Sequence, residues 1–183
     1  VSSEIGESSG RCCMAMRRRQ QRTRQRWSSA ASDVYSRERA DVLDAYRAMF
    51  GDERISYPGA LQHHYENGPP QDWKKFYLTS YASAHPHEDW AETAAHLLHL
   101  TDLTDSFVAS GLTSPEVPGP NWDPYSEPDA QRLIHIAASI AMGVNHVNRS
   151  MGLSDLYPFV LSDFARHKLA FVHDWLRRGA QGL

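Results

Sequence analysis

Six of the ten histidines fall within 37 positions: His63, His64, His85, His87, His96 and His99. Acids are interleaved with them. Glu88, Glu92 and His96 stand at i, i+4 and i+8, which lines all three along one face of a helix, with His99 one turn further on. Carboxylate and imidazole on a shared face are the donor types that zinc and other divalent ions take. The same spacing also suits a plain polar contact, and spacing alone does not separate the two. The His63-His64 doublet cannot aim both rings one way on a helix. His135, His146, His167 and His173 are scattered and read as surface or packing residues.

The elements that must position these groups are helices. Asp33 can cap a helix that runs to about Phe50, where Gly51-Asp52 stops it. A short helix is expected over Leu61 to Glu66, ended by Gly68-Pro69-Pro70, and another over Gln71 to Ala82. His85-Pro86 starts the central helix, since proline suits a first turn and Glu88 and Asp89 favour the positive end of the helix dipole. That helix is expected to reach about Leu103. Five prolines between positions 111 and 128 predict a long loop. A helix capped by Ser126 then runs from Pro128 to about Arg149. A last one, capped by Ser162 or Asp163, reaches about Arg178, with Phe164, Leu169, Val172, Trp175 and Leu176 inward. Tyr157 to Leu161 is a weak strand candidate. The fold class is therefore all-α, or mainly α with a minor strand.

With 183 residues, 41% of them apolar, the chain suits one globular domain. No apolar run is long enough to span a membrane. Cys12 and Cys13 are adjacent, which excludes a disulfide scaffold or a zinc ribbon. No apolar secretory segment is seen near the start, so the expected compartment is the cytoplasm. The net charge of −3 hides an asymmetry. Residues 11–26 hold seven arginines and no acid, while the other 167 residues carry 12 basic and 22 acidic side chains, a net of −10. Such a block reads as a solvated tail, and nucleic acid is an unlikely partner. The composition changes near Ser32–Asp33. Two parts are expected: a basic segment at 1–32 and a helical domain at 33–183.

The run Ser80-Tyr81-Ala82-Ser83-Ala84-His85-Pro86-His87-Glu88-Asp89-Trp90-Ala91-Glu92, continued by Ala95-His96-Leu97-Leu98-His99, resembles the signature of a bacterial family of zinc-binding metallopeptidases. Phe50-Gly51-Asp52-Glu53-Arg54, Leu61-Gln62-His63-His64-Tyr65 and Gly68-Pro69-Pro70-Gln71-Asp72-Trp73 fit it too. So do Asn148-Arg149-Ser150-Met151-Gly152-Leu153, Asp155-Leu156-Tyr157-Pro158-Phe159-Val160-Leu161-Ser162 and Phe171-Val172-His173-Asp174. The resemblance covers about residues 40–178 in order. It implies a gluzincin-like site with zinc as cofactor and a peptide or protein as substrate. In that pattern an HExxH helix gives two histidine ligands and a base, and a second helix gives a glutamate ligand followed four residues later by an acid. Glu88 then matches the third zinc ligand, and Glu92 the acid that supports a ligand imidazole from behind. Asp89, His96 and His99 are implied as residues lining the site.

The 183 residues contain no HExxH. Ser3-Glu4-Ile5-Gly6-Glu7 echoes it only faintly, with serine and glutamate where the two ligand histidines belong. Two histories account for this: divergence to an inactive relative, or a shifted reading frame or displaced start over residues 1–32, which the abrupt change in composition favours. Either way the catalytic base is unknown, and the expected chain is a metallopeptidase relative that is inactive or truncated as written. The alternative is a non-catalytic helical module that binds peptide or protein, with Tyr65, Trp73, Tyr81 and Trp90 lining a groove.

Overall fold

A computed structural model describes residues 40–156 and 161–180. Among the described residues six α-helices follow one another: α1 (Ala40–Phe50), α2 (Tyr57–Asn67), α3 (Trp73–Phe76), α4 (Pro86–Ala109), α5 (Ala130–Ser150) and α6 (Asp163–Ala180). Two 3₁₀ turns, Tyr81–Ala84 and Pro124–Ser126, precede α4 and α5. The described residues form no strand, so the fold is all-α. The expected start of α1 at Asp33, the boundary near Ser32–Asp33, the basic run and most of the weak strand candidate lie outside the described residues. No described helix is long and apolar enough to cross a membrane.

The central element is α4. It packs against α5, α6, α1 and the 81–84 turn. Leu97 and Leu100 of α4, Leu133, Ile134 and Ala137 of α5, and Leu169, Val172 and Leu176 of α6 meet in one core. Three threonines lie on the buried face of α4 and need partners there. Thr93, Thr101 and Thr104 each turn the hydroxyl back onto the carbonyl four residues earlier, at 2.6, 2.8 and 2.8 Å. The N-terminal end of α4 is closed by rings. Tyr46 and Phe50 of α1, Trp90 of α4, and Phe171 and Trp175 of α6 stack or meet edge to face at 5.2–6.3 Å. Trp90 is therefore partly buried, packed against the core.

Three expectations need correction. The helix expected over Gln71 to Ala82 is broken: α3 has four residues, and Tyr77 is extended at φ −127°, ψ 151°. The Phe76 carbonyl is taken by the Lys168 ammonium at 2.8 Å, and Thr79 Oγ1 accepts from the Ala82 amide at 3.0 Å, so the chain turns there. Phe164 does not point inward; it is 54% exposed, and its ring meets Phe76 edge to face at 5.0 Å. The cap of α5 is Asp129, whose Oδ1 accepts from Gln131 and Arg132 at 2.9 and 3.1 Å. Asp129→Ala should lower stability by about 1 kcal/mol, read as a shifted urea midpoint at constant slope. Asp129→Ser should recover most of that loss.

Candidate functional site

The candidate site is built around the first turn of α4. His85 is its N-cap, in extended backbone, and its Nδ1 accepts from the His87 amide at 3.0 Å. The ring proton therefore sits on Nε2, which donates to the Ile55 carbonyl at 3.2 Å. One nitrogen caps α4 and the other ties the loop before α2 to it. Pro86 follows in the first helical position, and its carbonyl accepts from the Tyr46 hydroxyl at 2.9 Å. This fixes where Glu88 emerges.

Glu88 is half-buried, and its Oε1 accepts from the Tyr57 hydroxyl. Two more phenols are close enough to influence it: Tyr81 and Tyr65 both act on the Tyr57 hydroxyl, and Tyr65 acts on Tyr81. The bond to Glu88 is the largest influence that raises the Tyr57 phenol above its ordinary value. Tyr81 is raised further, by burial first, then by the neighbouring Tyr65 phenol and the charge of Glu88. The His64 ring meets Tyr81 edge-on at 6.0 Å, and Tyr57 meets His85 edge-on at 5.0 Å. His87 is lowered by burial and by the neighbouring His85, so it stays uncharged at neutral pH. One carboxylate, three phenols and three imidazoles thus lie together at α2, the 81–84 turn and the start of α4.

The other expected residues lie elsewhere. Glu92 is half-buried one turn along α4, and its backbone carbonyl accepts from His96 Nδ1 at 2.7 Å. His96 and His99 meet at 6.4 Å, and His96 lies eight residues from Glu88, a rise of about 12 Å that puts a shared ion out of reach. Asp89 joins a different set. It is fully buried, and its Oδ2 accepts from Lys168 Nζ of α6 at 2.5 Å. Its Oδ1 has no hydrogen-bond partner. Lys168 also lies over the Tyr77 and Phe50 rings at 4.4 and 5.6 Å. Burial pushes the Asp89 carboxyl up to about 6, against the pull of Lys168 in the other direction.

Sequence reasoning missed Tyr57 and Lys168. For Tyr57 a signal was present: Ser56 precedes it and Pro58 follows, an N-cap and an early proline that start α2 four residues before Leu61. Ser56 Oγ accepts from the Gly59 amide at 3.4 Å.

Zinc needs at least three protein ligands. Among the described residues, no group of three or more histidine, cysteine, aspartate or glutamate side chains is placed to hold a metal ion. Glu88 stands as a single carboxylate among phenols, so the described residues do not fit zinc by themselves.

Some of the strings noted in the sequence do structural work. Arg47 donates to Glu53 at 2.6 Å across the turn after α1. Arg149 donates to Asp155 at 2.8 Å, and the buried Asn145 Oδ1 accepts from the Leu156 amide at 2.7 Å, closing the turn after α5.

Comparison with known proteins agrees with this pattern. Uncharacterized proteins of Mycobacterium bovis (strain ATCC BAA-935 / AF2122/97) and Mycobacterium tuberculosis (strain ATCC 25618 / H37Rv) are each 40% identical to the chain over 136 residues, which is 73% of this chain and 39% of each relative. The chain therefore spans about two-fifths of the length of these curated relatives. No solved structure matches. A family model described as "Putative zinc-binding metallo-peptidase" matches residues 29–175, which takes in every described helix but the end of α6. On that match, which covers most of the chain, the chain belongs to this family of zinc-binding metallopeptidases.

Proposed function

We propose that the chain is the helical body of a zinc-dependent peptide hydrolase, that Glu88 is the carboxylate it offers to the metal, and that the 183 residues as they stand do not cleave peptides. The observation that carries this reading is the placement of Glu88. It leaves the first turn of α4 half-buried, is oriented by Tyr57, and faces a set of phenols and imidazoles. The positive end of the helix dipole favours its charge there. A single carboxylate does not retain zinc, and the sequence holds no HExxH to supply two imidazoles and a base. Glu92 is the acid we assign to support a ligand imidazole.

The test is metal analysis and peptidase assay on the purified chain. We expect well under one zinc per chain after dialysis, and no cleavage of a generic peptide that a chelator stops. One tightly held zinc per chain, or chelator-sensitive cleavage abolished by Glu88→Ala, would overturn the inactive reading. A second reading, a non-catalytic module for peptide or protein, draws on Tyr65, which is 71% exposed beside Tyr81. Peptide binding without zinc, lost on Tyr65→Ala, would favour it.

A further inference from the structure

We propose that α2 is a strap lying over Glu88, and that the Tyr57 phenol, hydrogen-bonded to that carboxylate, is its latch. None of the 11 residues of α2 is buried; Ala60, Leu61 and His64 are half-buried and the rest are exposed. A helix of that length is marginal on its own, and most helices are held by an apolar face they bury. This one has little such face.

What holds it is polar and local. Tyr57 donates to Glu88, the Ile55 carbonyl just before the helix accepts from His85, and the His64 ring meets Tyr81. All three contacts are made to α4's first turn or the residues just ahead of it. The chain turns at either side of α2. Gly51 and Gly68 hold φ at 100° and 74°, a region that favours glycine, and Pro69-Pro70 follows the second. The body that α2 lies on is anchored independently, since the 81–84 turn and α4 bury Ala82, Ala84, His85 and Leu97. A strap with few buried contacts opens at lower free energy than the core beneath it.

The consequence concerns access. In the closed pose one oxygen of Glu88 is occupied by the phenol, so a ligand that takes that oxygen competes with closure. By linkage, anything that draws Glu88 away loosens α2 by the same factor that α2 weakens it. The inference rests on Glu88 being the carboxylate the site offers. It is tested with no metal present, so its failure and the failure of the proposed function are told apart.

The experiment is amide hydrogen exchange on the full chain, wild type against Tyr57→Phe, Glu88→Ala and the double variant. In the wild type, the α2 amides hydrogen-bonded within the helix should exchange through local opening, well before Leu97 and Leu100 of α4. Tyr57→Phe should speed exchange of the α2 amides about ten- to a hundredfold, the range for a hydrogen bond to a charged group, with α5 and α6 unchanged. Glu88→Ala should do the same, and the double variant should add nothing further. The idea is overturned if α2 exchanges only with global unfolding, if Tyr57→Phe leaves α2 at wild-type rates, or if it speeds α2 equally in the Glu88→Ala background.

Discussion

Lys168→Met is expected to cost about 3–5 kcal/mol of folding stability at neutral pH, the range for a buried ion pair that loses one member. The wild-type ammonium donates to Asp89 Oδ2 at 2.5 Å and to the Phe76 carbonyl at 2.8 Å, and lies over the Tyr77 ring at 4.4 Å. Methionine fills similar space and supplies none of these donors. Asp89 would then be buried with neither oxygen paired, because its Oδ1 already has no partner. The cost is really that of the stranded carboxylate. Lys168→Met combined with Asp89→Leu should therefore recover most of the loss, since an apolar pair of similar volume needs no partner.

The pH dependence separates this from ordinary packing damage. The folded-state pKa of Asp89 is raised, to about 6 from the ordinary 3.8, and burial is the cause. The folded chain thus binds a proton more tightly than the unfolded chain. The stability linked to this group is fully present below about pH 4 and is lost as pH rises through about 6, a change of about 3 kcal/mol. Removing Lys168 raises the Asp89 pKa further, so the variant's deficit should be largest at pH 7 and shrink on acidification. Near pH 4 the carboxyl is protonated with or without the lysine, and only lost hydrogen bonds and ring contacts remain, about 1–2 kcal/mol. Urea titrations at pH 4 and pH 7 measure both quantities. A deficit that is the same at both values, or that grows in acid, would remove the stranded-charge explanation.

Why this pair was invisible in the sequence, while Glu88 was not, is a matter of range. Glu88 announces itself locally: a His-Pro step starts a helix, and an acid in the first turn meets the helix dipole. The Asp89–Lys168 pair joins residues 79 apart, and each partner alone reads as a solvated charge on an amphipathic helix. Only the packing of α4 on α6 makes them neighbours. The same holds for Tyr57, 31 residues before the carboxylate it holds. It also explains the broken helix after Asp72, where the apolar spacing of Trp73, Phe76 and Tyr77 is helical and a distant lysine removes the carbonyl that would continue it. The long helices α4, α5 and α6 were legible because periodicity, caps and prolines agree over many residues. Their ends were less so: α4 runs on to Ala109 because Thr101, Thr104 and Asp105 are buried, a polar set that gives no apolar stripe to read. The HExxH motif that the family pattern expects is a different matter, since no packing argument can place residues that the sequence does not contain.

Phe50→Ala is expected to cost about 3–5 kcal/mol, as large a loss as any single core truncation in this chain should give. Phe50 ends α1 and is 6% exposed. Its ring meets Tyr46 at 5.2 Å, Trp90 at 5.3 Å and Phe171 at 5.9 Å, so it joins α1 to both α4 and α6. Gly51 follows at φ 100°, a backbone conformation that other residues rarely adopt, and lies in ordinary contact range of the Pro86 ring, so the backbone after Phe50 is held against the start of α4. A rigid rim is what makes a cavity expensive. The control is Phe164→Ala: that ring is 54% exposed, and its loss should cost under about 1 kcal/mol. Phe50 also lies 5.6 Å from the Lys168 ammonium, over the ring face that a cation favours. Phe50→Ala and Lys168→Met should therefore fall short of additivity by about 0.5 kcal/mol or more in a double-mutant cycle. Strict additivity would mean that the ring and the ammonium stabilise the fold independently, and a Phe164 loss equal to that of Phe50 would mean that the core has been placed on the wrong face of α6.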